Sequence, residues 1–66
     1  MTRFAVQRCI GNTIVVLGIY ETKEEMLTAK DSFALRYAGQ PGIVTGISGK
    51  LDENGLRKPG EMYRIF

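Results

Sequence analysis

The stretch TKEEMLTAKDSFALRYAG, Thr22 to Gly39, is the one part of the 66-residue chain that reads as a helix. Thr22 followed three residues later by Glu25 is a capping-box pattern, in which side chains satisfy the orphan amides of the first turn. Met26, Ala29, Phe33 and Tyr37 recur at helical spacing, and Leu27 and Ala34 widen that stripe. Lys23, Glu24, Thr28, Asp31, Ser32 and Arg36 form the polar side, with Leu35 the one apolar residue out of place. Gly39 is expected to end the helix in a left-handed conformation, and Pro41 forbids its continuation. So short a helix is marginal alone, so its stripe must be buried against the flanking segments.

Those segments read as strands. Arg3–Ile10 and Thr13–Tyr20 flank Gly11-Asn12, a pair that predicts a two-residue hairpin with Gly supplying the positive φ of a type II′ turn. The tight loop opposes Ile10 to Thr13, Arg8 to Val15, Val6 to Leu17 and Phe4 to Ile19. One ribbon face then carries Phe4, Val6, Ile10, Val15, Leu17 and Ile19, and is expected under the helix. The other carries Ala5, Gln7, Cys9, Ile14, Val16, Gly18 and Tyr20. Beyond the turn cluster Gly39–Gly42, Ile43–Ile47 reads as a third strand with Ile43, Thr45 and Ile47 on one face. Lys50–Glu61 is polar and rich in turn formers, with Asn54-Gly55 and Pro59-Gly60 as its strongest signals, and Met62–Phe66 is the last strand.

The order β-β-α-β-β predicts a single domain over 1–66: a two-layer α+β fold with one helix packed across a four-stranded antiparallel sheet. A strand order of 2-1-3-4 keeps all neighbours antiparallel, and 2-1-4-3 and others stay open. There is no internal repeat, low-complexity segment or linker.

Composition excludes several function classes. The chain has no histidine and a single cysteine, Cys9, so an internal disulfide is impossible and neither a metal site nor an activated thiol is expected. Glu24 and Glu25 complement the helix dipole rather than form an acid–base pair. Asp52-Glu53-Asn54-Gly55 lacks the later ligands of a calcium loop and is read as a turn. Gly46-Ile47-Ser48-Gly49-Lys50 resembles the end of a phosphate loop, but Leu51 replaces the required hydroxyl residue and no helix follows. No catalytic residue, cofactor or metal is therefore expected. The absence of a signal-peptide pattern and of a long apolar run, together with the cysteine usage, leads to the expectation of a cytoplasmic protein, of a cell or of a mobile element within one.

Two surfaces remain as candidates. The second sheet face, with Cys9, Ile14, Val16 and Tyr20 joined by Val44, has no second helix to cover it and is expected to bind a partner. A homodimer is the simplest occupant and a foreign protein the other, as for an inhibitor, accessory subunit or regulator; a free edge at the last strand would assist. The alternative is nucleic acid bound by a basic and aromatic set, Arg3, Tyr20, Lys50, Arg57, Lys58, Tyr63, Arg64 and Phe66. The net charge of +2 is weak for that task, and no ribonucleoprotein motif is present.

Overall fold

Gly11 joins β1 (Arg3–Ile10) to β2 (Thr13–Tyr20) with φ +57, while Asn12 keeps a negative φ. That pairing of signs is the type II′ turn, and Ile10 opposes Thr13 as the two-residue loop requires. α1 (Lys23–Arg36), β3 (Ile43–Gly49) and β4 (Tyr63–Ile65) follow in the computed structural model, which describes all residues Met1–Phe66. The sheet runs β2-β1-β3-β4 with every neighbouring pair antiparallel, and α1 lies across one face.

The hairpin register departs from the sequence expectation half-way along. Arg8 opposes Val15 and Gln7 opposes Val16 as expected, but Val6 then opposes Gly18, Ala5 opposes Ile19 and Phe4 opposes Tyr20. The irregularity between Val6 and Gln7 leaves Leu17 as the extra residue of a β-bulge. Alternation restarts one residue late. Gly18 and Tyr20 therefore share the helix-side face with Phe4 and Val6, and Ile19 crosses to the other face with Ala5.

That reversal brings Gly18 into the row that holds the helix seat. Gly18, Val6 and Gly46 form one cross-strand row, with Met26 of α1 over Gly46 and the Tyr20 ring against Gly18. A Cβ on Gly46 would collide with the sulfur of Met26, which is wholly buried, so the glycine lets the helix approach closely. The capping box forms with a variation: Thr22 Oγ1 accepts from the Glu25 amide at 3.2 Å, and donates to Glu25 Oε1 at 2.9 Å. α1 ends sooner than expected, with Tyr37 as its C-cap; Gly39 is left-handed, at φ +81, but lies beyond the cap. Arg8 holds this exit, its guanidinium 4.4 Å from the centre of the Tyr37 ring and donating to the Pro41 carbonyl at 2.7 Å. Only Met26 of the stripe is fully buried; Leu27, Ala29, Phe33 and Tyr37 are half-buried and Ala34 is exposed.

The opposite face has a cover of its own. Lys50–Glu61 folds back over it, closed by a Leu51–Arg57 bridge and an Asp52 amide bond to Leu56 O at 2.8 Å. The Asp52 carboxylate accepts from the amides of Asn54 and Leu56 at 2.8 and 2.9 Å, so the acidic segment is a turn, as read. Leu51 packs with Ala5 and Ile47 as a second buried cluster, and Gln7, 4% exposed, donates to Gly55 O at 3.2 Å. A sheet with one helix thus gains an irregular layer on its far side.

Candidate protein-binding surface

Five residues were expected to share the second face, and the structure brings together Cys9, Ile14 and Val16. Tyr20 and Val44 lie on the helix side, which corrects that grouping. For Tyr20 the cause is the Leu17 bulge, which reverses the alternation of β2 before position 20. For Val44 it is the β3 register, which opposes Val44 to Arg8 and puts Ile43, Thr45 and Ile47 on the second face.

Nor is that face bare throughout. Gly55 reaches down between Val16, Ile19 and Ala5, and Arg3 donates to Leu51 O at 2.8 Å, tying the covering segment to the far end of β1. The cover stops short of the hairpin end. Ile14, Cys9 and Ile43 oppose one another there in a single cross-strand row. Ile14 is 40% exposed, Ile43 66%, and the Cys9 thiol is half-buried between them. Val16, half-buried, joins the row to the covered part. Ile43 was absent from the expected set because only its pairing with Cys9 shows which face it takes; its β-branched side chain beside a turn was the one visible signal.

The basic and aromatic set does not converge. Arg3 is engaged with the Leu51 carbonyl, and Arg57 stacks at 4.5 Å on Tyr63 while donating to its hydroxyl. Tyr63 opposes Gly49 on the covered face, whereas Arg64 opposes Ser48 on the helix side. Phe66 lies beneath Lys23 at 5.2 Å, also on the helix side. Lys50 and Lys58 are exposed in the connecting turns. No single surface offers a row of rings for bases to stack on.

Both sheet edges are open, since β2 and β4 each pair on one side. Between β2 and α1 runs a shallow groove lined by Tyr20, Glu24, Glu25, Thr28, Ala29 and Ser32, with a volume near 530 Å³. It exists because α1 seats over Val6 and Gly46, towards the middle of the sheet, leaving the helix-side face of β2 under-covered; Val15 there is 44% exposed.

Comparison with protein-family models, curated proteins and solved structures yields no match. No helix of the chain is long and apolar enough to cross a membrane.

Proposed function

We propose that this is a non-enzymatic protein-binding module whose partner seats on the uncovered hairpin end of the sheet, over Cys9, Ile14, Val16 and Ile43. The observation that carries the reading is the exposed row Ile14–Cys9–Ile43, which the Lys50–Glu61 segment leaves bare although it covers Ala5, Gln7 and Ile47 on the same face. Exposed branched apolar side chains in one contiguous row gain most from a partner that removes them from water. The carboxylates that could have suggested chemistry have structural duties: Glu25 in the helix cap and Asp52 in the covering turn.

A second copy is the simplest occupant, because a patch centred on one row closes on itself under two-fold symmetry. A foreign protein with an apolar ridge uses the same residues. Size exclusion with light scattering tests the first case: a dimer is expected, and Ile14→Asp returns it to monomer by burying a charge in the interface. A dimer indifferent to Ile14→Asp refutes this placement. A wild-type protein that stays monomeric at millimolar concentration refutes self-association there.

A further inference from the structure

The two free edges of the sheet are complementary to each other in charge, in apolar exposure and in hydrogen-bond phase. Around the β2 edge stand Glu21, Glu24 and Glu25, all exposed, the last two lining the groove beside Tyr20. On the β4 edge stand Arg64 and, against Tyr63, Arg57, both exposed, with Glu61 the one acidic residue just before the strand. Ile19 on β2 is 44% exposed and Ile65 on β4 is 63% exposed, and both lie on the face away from the helix.

The phase follows from one observation. Gly46 and Phe66 exchange both backbone hydrogen bonds, at 2.8 and 3.3 Å, so the antiparallel alternation turns the amide and carbonyl of Ile65 outward. Carried through the pairs Ala5–Ile47 and Phe4–Tyr20, the same alternation turns Ile19 outward on β2. With an even number of strands, β4 of one copy placed beside β2 of another is antiparallel to it and keeps both helices on one side.

We propose that copies of this chain associate head to tail, β4 of one adding as a strand to β2 of the next, with Arg64 entering the Tyr20–Glu24–Glu25 groove. Ile65 pairs with Ile19 through main-chain bonds and buries both side chains on the far face. Arg64 then opposes Tyr20, at the close Cα spacing of about 4.5 Å that a non-hydrogen-bonded pair has. Its guanidinium lies within reach of the ring and of two carboxylates. The bulge at Leu17 limits the regular part of this edge to Gly18–Tyr20, and β4 is equally short, at three residues. Strand addition over so few residues buries much less than the ~800 Å² per partner of a standard interface, so the contact is weak and salt-sensitive. Because the contact joins unlike surfaces, it propagates rather than closing as a pair. It uses neither Ile14 nor Ile43, so it stands or falls separately from the function proposed above.

Sedimentation equilibrium over a concentration series tests it. At low salt the average mass of the wild-type protein is expected to climb past that of a dimer, and to fall back in 0.5 M sodium chloride, a concentration chosen as roughly three times physiological. Arg64→Glu and Glu24→Arg each weaken association about tenfold, and the double variant, or an equimolar mixture of the two, restores it. Ile65→Pro removes only an outward amide, so circular dichroism stays native while assembly is lost. A wild-type protein that remains monomeric overturns the proposal. So does association untouched by Arg64→Glu and Ile65→Pro, and loss through Ile14→Asp alone would assign it to the hairpin-end row.

Discussion

Replacing Gly55 by alanine tests whether the Lys50–Glu61 segment is a seated layer or a loose loop. Gly55 has φ +80, a left-handed conformation that costs an ordinary residue about 1–2 kcal/mol. The new methyl would also lie 3.0 Å from Val16 Cγ1, 3.1 Å from Ile19 Cγ1 and 3.4 Å from Ala5 Cβ. Val16 and Ile19 must each give by a few tenths of an ångström, so overpacking adds about 1–3 kcal/mol. Gly60 supplies the control. Its φ is +78 but a Cβ there meets nothing within 4 Å, so Gly60→Ala carries the backbone cost of about 1–2 kcal/mol alone. Urea unfolding followed by circular dichroism gives both numbers, with the slope checked for constancy between variants. Gly55→Ala is expected to exceed Gly60→Ala by at least ~1 kcal/mol, a large share of the roughly 3–10 kcal/mol a chain of this length commands. Equal losses at the two positions would refute the seating of Gly55 against the sheet. The covered second face would go with it.

Met26→Ala, which empties the helix seat over Gly46, is expected to cost about 2–5 kcal/mol in the same assay, and Phe33→Ala distinctly less because its ring is only half-buried against Tyr37. The dispersal of the basic and aromatic residues over two faces predicts that single-stranded oligonucleotides bind no tighter than the non-specific range of about 10⁻⁴–10⁻⁶ M. Fluorescence anisotropy at physiological salt checks this, a submicromolar affinity lost in Tyr63→Ala being the contrary result.

Much of the fold was legible because each local signal had one physical solution. Gly11-Asn12 between two β-rich runs admits a type II′ turn and little else, and Thr22 with Glu25 fixes where the helix starts. The antiparallel order β2-β1-β3-β4 was among those the chain allowed. The bulge was not legible. Val16, Leu17 and Ile19 are all apolar, so no polar residue marks the slip, and Leu17 carries no sign that it is the extra residue. What accompanies it is tertiary: Gly18 comes to lie against the Tyr20 ring, while Gly46 in the same cross-strand row lies beneath Met26 of α1. The same step moved Tyr20 out of the expected partner surface and brought Ile19 in. On the helix, Phe33 reads as core from its spacing, yet the seat forms at Met26, where Gly46 allows the closest approach.

The segment Lys50–Glu61 reads only as turns, because nothing in a polar run shows where it lands. Its reach nevertheless has a definite cause. The Asp52 carboxylate gathers the amides of Asn54 and Leu56, and the Asp52 amide bonds Leu56 O, so the chain reverses at Gly55. Gly55 is thereby set down on Ala5, Val16 and Ile19, and Gln7 fastens it from below. A cover that turns back at that row cannot extend over Cys9, which lies further towards the hairpin turn. The bare row Ile14–Cys9–Ile43 is therefore fixed by a specified turn and not by looseness of the covering segment. The same hydrogen bonds that set Gly55 on Ala5, Val16 and Ile19 stop the cover short of it.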